Sequence, residues 1–439
     1  MSQFLEQLAS LRAGGPAWLQ AVHDAGAAIL RDAAWPTRKT ESWKYTSLRP
    51  LEHINFLAER GHAINADLSQ HFAIANFDAY RLVFVNGVFS ANLSDLQGLP
   101  AGVELIRFAD ANASQQELLV KYLNSVVEAD CHLFAAVNQQ LIEDGVFLHV
   151  GKNIELNKPV QIVWLSSAQE KPFHIPQRFL LLAENHSSVI LVEQFVSTAD
   201  SQNSFTHGVT ELCLQDGARC EHYRIHLEEQ SAVHVGGVYA SLAANSYLDS
   251  FHLGLGGPLK RVDVVINHNG PGADCQLNGV YLPQGNQQID YHTTIEHRVP
   301  NCTTQEVFRG IVADNAKAVF NGRIHIHPQA QKTRAELSNK NLLLSDKAEV
   351  NTKPELEIYA DDVQCAHGAT VARMDENALH YFLMRGISRK EAEVMLSFGF
   401  INELIGQLKQ EALTDYLRPV LTHWFGRETS LVDELAAAE

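Results

Sequence analysis

The spacing of apolar positions changes twice along the chain. Near the N-terminus Leu19, Val22 and Ile29 fall on one helical face, and the pattern stops before Trp35-Pro36, where proline ends a helix. The segment PTRKTESWKYTSL follows, its aromatics Trp43 and Tyr45 flanking Lys44 as in an extended stretch. RLVFVNGVF (81–89) predicts a strand with a hairpin-type turn at Asn86-Gly87. Residues 115–142 return to a helical period, with Leu118, Leu119, Tyr122, Val126, Phe134, Val137 and Leu141 on the apolar face.

From 145 to 365 the chain becomes a succession of short β-rich runs. VQIVWLS (160–166), SVILVEQFV (188–196), RVDVVINH (261–268), CQLNGVYL (275–282) and QIDYHTTIEH (288–297) are examples. They start roughly every 10–18 residues, glycine punctuates the joins, and no helical period intervenes. A β-sandwich of this length is too large, since such domains hold about 100 residues, whereas a solenoid grows by adding coils. The expected architecture is mainly β. A parallel β-helix core over 145–370 lies between an N-terminal helical and mixed region, 1–144, and a C-terminal helical region, 371–439. In the last region Asp375 is placed to cap ENALHYFLMR, which closes at Gly386. Ser388-Arg-Lys-Glu391 is a capping box for a second helix with the stripe Ala392, Met395, Ile401, Leu404, Ile405 and Leu408. A third helix carries Leu413, Tyr416, Leu417, Val420 and Trp424, and a polar, then Ala/Glu-rich, tail begins at Arg427.

Composition narrows the function classes. Hydrophobic residues make up 46% and charged residues 19%, enough apolar content for a sizeable core. A net charge of −17 argues against non-specific binding to nucleic acid or to an anionic membrane. No apolar run approaches the ~20 residues of a membrane span, and MSQFLEQLASLRAGG does not read as a secretory signal. The cysteines at 131, 213, 220, 275, 302 and 365 form no C-x-x-C pair, which suits a reducing cytoplasm.

The candidate chemistry is sparse. In VQCAHGAT (363–370), Cys365 and His367 would share one face of a strand. Together they supply half of a tetrahedral metal site. The competing reading is a strand end with Cys365 buried as a small hydrophobe and Gly368 making a turn; local residues alone favour it. His325 and His327 in RIHIHP also share a strand face, as in the H-x-H of cupin metal sites. Gly322 is too close to them for the cupin spacing, however, and no acid follows, so a half-exposed strand is the favoured reading. The same holds for His222 and His226. Arg38, Lys39, Trp43, Lys44 and Tyr45 form a basic, aromatic segment that could stack on a base or a flavin, but reads better as a strap holding the N-terminal helices to the core. There is no G-x-x-x-x-G-K-[ST] and no G-x-S-x-G, and GLGGP (254–258) opens no helix.

The run KTRAELSNKNLLLSDKAEVNTKPELEIYADDVQCAHGATVARMDENALHYFLMRGISRKEAE, from 332, closely resembles the SufB/SufD family of iron–sulfur cluster assembly scaffolds. KTESWKYTSL (39–48) and LVFVNGVF (82–89) are similar to the SufD branch in particular, as is Gly368-Ala-Thr after His367, where the SufB branch tends to carry an acid. The cysteine-rich N-terminal motif expected of the SufB branch is missing. The resemblance implies a right-handed parallel β-helix that pairs with SufB through the β-helix. Each of the two subunits would hold one copy of the ATPase SufC through its C-terminal helices. Ser388, Met395, Ile401, Leu404 and Leu408 are then the candidate partner-binding residues. It further implies a non-catalytic scaffold with a transient iron–sulfur cluster shared with SufB. His367 would be a ligand from this side, and Cys365 either a second ligand or a buried thiol shaping the interface. Reduced flavin is associated with the complex as a whole. Two other classes stand as rivals: a β-helix enzyme acting on polysaccharide, and a structural homodimer with incidental metal binding.

Overall fold

The computed structural model describes residues 3–426, apart from 65, 199–201 and 229–230; the predicted tail from Arg427 lies outside them. Two long sheets face each other, and successive strands alternate between them. One sheet stacks Val160–Ser166, Ser188–Ser197, Arg219–His226, Tyr247–Leu255, Asp274–Leu282, Thr303–Val312, Arg334–Leu343 and Gln364–Arg373 in parallel. The other stacks Val146–Val150, Phe173–Ala183, Ser204–Leu214, Val233–Leu242, Leu259–His268, Gln288–His297, Lys317–Ile326 and Glu349–Ile358. This is a parallel β-solenoid, as the run spacing predicts. Asp274 pairs with Thr303 and Arg334 with Gln364, so one coil takes about thirty residues. The runs seen in the sequence are half-coils.

Side chains alternate inward and outward along each strand. The parallel register therefore aligns inward positions into rows that run from coil to coil. One row is Cys220, Leu248, Cys275, Thr304, Ala335 and Cys365; its neighbour is His222, Ser250, Leu277, Glu306, Leu337 and His367. Apolar members of such rows fill the lumen, with Val262, Ile266, Tyr291, Phe308, Phe320 and Ile324 all buried. Gly236 and Gly208 sit opposite each other where two coils come close, and a Cβ on Gly236 would lie 2.1 Å from the Gly208 carbonyl oxygen.

The two ends of the stack differ. At the start, Tyr80–Val85 continues one sheet beside Val160–Ser166, then folds back through Asn86-Gly87 into the antiparallel Val88–Phe89. Both turn residues have positive φ, as the hairpin prediction requires. Val103–Arg107 closes the other sheet, also antiparallel. At the far end, Glu349–Ile358 and Gln364–Arg373 each pair on one side only.

Helices cover the outer faces. Gln20–Asp32 and Leu133–Leu141 pack together, and Leu133–Leu141 lies against one sheet, where Phe134 and Val137 join Phe205, Val209 and Val235. The helix predicted over 115–142 is in fact two, Ala113–Tyr122 and Leu133–Leu141. Asn124 breaks it: its backbone is left-handed, its N–H donates to Glu211, and its side chain accepts from Arg178 of the sheet. The segment around Trp43 is not extended either. Glu41–Trp43 is a 3₁₀ turn, held by the Arg261 guanidinium 3.9 Å from the Trp43 ring centre and by a hydrogen bond from Thr46 to Asp290. That is the strap expected of these residues.

On the opposite sheet, Arg389–Ile405 and Glu411–Gly426 bury Ile401, Leu404, Leu417 and Leu421 against Tyr223, Phe251, Leu253 and Val280. Asp375 caps Glu376–Leu383, and the Ser388 capping box is present with both of its hydrogen bonds. None of the described helices is long and apolar enough to cross a membrane.

Close coil contact makes a specific demand on stability. Gly236→Ala should cost about 2–3 kcal/mol in urea unfolding, because backbone must move to admit the methyl. Gly368→Ala, whose Cβ meets nothing within 4 Å, should cost nothing measurable. Equal effects at the two positions would contradict this account of the coil spacing.

Candidate functional site

The uncovered last coil carries VQCAHGAT. Gln364–Arg373 is a continuous strand, so the turn at Gly368 does not exist. Cys365 and His367 project from the same face, in rows that are buried one coil earlier as Ala335 and Leu337. Among the described residues no further coil covers them. Cys365 is half-buried against the core, and burial pushes its thiol above the usual range, with a backbone contact at Ala335 partly offsetting the effect. His367 is exposed. On the last two strands and in the turn between them, Ile358, Tyr359 and Val371 are exposed apolar side chains. The site is thus one thiol and one imidazole on an open sheet edge.

The C-terminal candidates divide. Ile401 and Leu404 are buried in the chain's own helix–sheet packing, and Leu408 is half-buried beside them, so these three seat the helix rather than face outward. Ser388 is exposed at its cap and Met395 is exposed. Tyr381, Leu383 and Met384, on the preceding helix and just after it, are further exposed apolar side chains that the sequence pattern alone did not single out.

Inside the solenoid, His222, Arg224 and His226 alternate along one strand, and all three point into the lumen. The shared face of His222 and His226 is therefore an interior one. Glu193 accepts from the Arg224 guanidinium at 2.8 Å, from Thr210 at 2.8 Å and from His222 at 3.0 Å. Burial works to raise the Glu193 carboxyl, but Arg224, His222 and Thr210 outweigh it and hold it well below the usual range. Glu228 similarly gathers His226, His234 and Lys260. A buried charge is tolerated only when paired this way. One inward carboxyl has no such partner. Glu306 accepts from the Thr293 hydroxyl at 2.6 Å, and its other oxygen is buried without a hydrogen bond. Burial pushes it up to about 7, with Thr293 offsetting part of the rise.

On the outer face His325 and His327 do meet an acid, though not one that follows them in sequence. Glu296 lies opposite His325 on the preceding coil and accepts from His325 at 2.8 Å and from His327 at 2.7 Å. Arg323 occupies its other oxygen at 2.7 Å and pairs with Glu357 on the far side. Burial opposes the Glu296 charge, but His327 and Arg323 keep the carboxyl below its ordinary range. Among the described residues this is a candidate His₂Glu donor set, already neutralised by an arginine. The spacing that would have revealed it is one coil, not one strand.

Residues 165–400 match the family model described as SUF system FeS cluster assembly, SufBD core domain, and residues 1–162 match SufBD protein N-terminal region. The chain is 31% identical to iron–sulfur cluster assembly protein SufD of Escherichia coli, over 86% of each chain. It is 27% identical to the protein of that name from Bacillus subtilis, over 92% of this chain and 94% of the relative. An iron–sulfur cluster assembly SufBD family protein of Synechocystis is 28% identical over 89% and 87%.

The solitary Glu306 predicts a pH dependence. Its carboxyl is pushed up to about 7 in the folded chain, against an ordinary 4.5. Across that window the folded state holds a proton that the unfolded state has lost. Stability therefore falls as pH rises, by about 3 kcal/mol for this group. Glu306→Gln should remove that share of the loss when urea unfolding is compared at about pH 5 and about pH 8. The same slope in the variant would show that Glu306 is ionised or hydrated inside the lumen.

Proposed function

The chain belongs to the SufBD family of iron–sulfur cluster assembly proteins, and from that premise we propose that it is a scaffold subunit pairing with SufB through its open last coil. A nascent cluster is held between the two subunits, with His367 as this chain's ligand and Cys365 as its neighbour. The observation that carries the reading is the coincidence of two features. The strand edge that bears an exposed histidine beside a thiol is also, among the described residues, an edge that no further coil covers.

Two donors do not complete a tetrahedral iron site. A partner must supply the rest, and a ligand set split between chains can be opened by separating them. That suits a scaffold, which has to release its product. The chain carries no P-loop motif, so nucleotide-driven work is assigned to SufC. The exposed surface of Tyr381, Leu383, Met384 and Met395 supports docking of SufC at the C-terminal helices. These helices also pack on the sheet that ends in the His367 strand. A shift of the helices would thereby reach the cluster site as a rigid-body movement. The same open edge favours self-pairing into a homodimer when SufB is absent.

The test is co-expression of this chain with SufB and SufC, followed by assay of iron and acid-labile sulfide in the isolated complex. His367→Ala should leave the complex intact and lower both by about tenfold or more. An unchanged cluster content in an intact complex would reduce the last coil to an architectural joint.

A further inference from the structure

We propose that His268, His297 and Cys302 form a binding site for a thiophilic divalent cation of the zinc or iron class, within the wall of the solenoid and separate from the open edge. His268 and His297 end adjacent strands of one sheet, and Cys302 lies in the corner that leads to the next strand. All three are fully buried. One ring nitrogen of each histidine and the Cys302 Sγ lie within 4.8 Å of one another.

The imidazoles stack, with ring centres 4.3 Å apart and planes 10° from parallel, so a ring must rotate for both in-plane lone pairs to converge on one ion. Their hydrogen bonding is what favours a ligand here. The Nε2 atoms of both rings lie near the Thr304 hydroxyl oxygen, at 3.0 Å for His268 and 3.1 Å for His297. That oxygen has two lone pairs, so it can accept from both Nε2–H groups. Each Nδ1 then presents a lone pair, and both Nδ1 atoms are buried without a hydrogen bond. Fixing one ring nitrogen with a hydrogen bond so that the other can ligate is how metal-binding histidines are usually oriented. Burial keeps both imidazoles neutral at neutral pH, with His297 pushed down to about 4, and a neutral ring is the ligating form.

Burial raises the Cys302 thiol above its ordinary range, and the backbone at Ala273 and Gly272 offsets only part of the rise, so the bound cation itself has to draw off the proton. The Cys302 thiol donates to the carbonyls of Gly270, at 3.5 Å, and Pro300, at 3.6 Å, weak hydrogen bonds that a bound cation would replace. A tetrahedral ion would hold its ligands about 3.4–3.6 Å apart, so side chains must close in by about an ångström. Binding releases the thiol proton and leaves a fourth position open. The corners flanking the site have exposed residues at Asn269, Pro271, Arg298 and Asn301, so it lies just beneath the surface. Thr304 is two strands from Cys365 in the same inward row, about 10 Å away. Unlike the Glu296 set, this site has a sulfur donor, and no arginine competes among the contacts described above.

The test uses the full chain carrying Cys365→Ser and His367→Ala, which silences the open edge. Titration with Co²⁺ under anaerobic conditions should give a thiolate-to-cobalt charge-transfer band with tetrahedral ligand-field bands, bleached by Zn²⁺. Cys302→Ser should abolish the thiolate band, and His268→Gln should weaken binding by about tenfold or more. In case those variants fold poorly, X-ray absorption on the zinc-loaded parent chain gives an independent reading. One sulfur and two imidazole ligands support the site. A first shell without sulfur, or a thiolate band that survives Cys302→Ser, overturns it.

Discussion

A parallel solenoid satisfies its strands and covers its inward side chains only by adding another coil, and the last coil has none. Every row of the lumen ends there. Positions that bury Ala335 and Leu337 leave Cys365 half-buried and His367 exposed one coil later. The opposite end does not share the problem, because the antiparallel strands Val88–Phe89 and Val103–Arg107 terminate the two sheets. An unprotected edge is a hazard that folded proteins usually blunt. One end is therefore capped and the other bare, and the bare end carries exposed apolar side chains together with a thiol and an imidazole.

The same stacking explains the polar interior. A solenoid lumen has two walls, so charges from different coils can meet without crossing a core. Glu193, Thr210 and Arg224 do so across the lumen, and Glu228 collects His234 and Lys260 from the facing wall. Where a row offers no countercharge, as at Glu306, the carboxyl is left to hold its proton. Corners are the other place where neighbouring coils bring unrelated residues together, and His268, His297 and Cys302 meet at one.

Much of this was legible in the sequence, for physical reasons. Period-two runs with glycine joins and no intervening helices imply stacked coils, and Asp375, Ser388 and Glu391 announce their caps by residue type alone. What lay hidden depends on register between coils. Nothing near His325 signals Glu296, which is one coil earlier, and nothing near Cys302 signals His268. The helix over 115–142 kept its apolar period across Asn124, and only the tertiary contacts of Asn124 with Arg178 and Glu211 break it. The stripe Ile401 and Leu404 read equally well as a docking ridge or as a buried seam, since amphipathicity does not say which surface covers it; both residues lie in the seam. For VQCAHGAT, local residues favoured a turn, whereas the register places a strand there.

Pairing through the last coil is tested most directly by amide hydrogen exchange of the chain alone and in complex with SufB. The strands Glu349–Ile358 and Gln364–Arg373 should exchange quickly at their free edges in the isolated chain and become strongly protected on pairing, while the capped end near Val88–Phe89 stays unchanged. A stable complex in which those two strands gain no protection would contradict the assignment and move the interface elsewhere on the molecule.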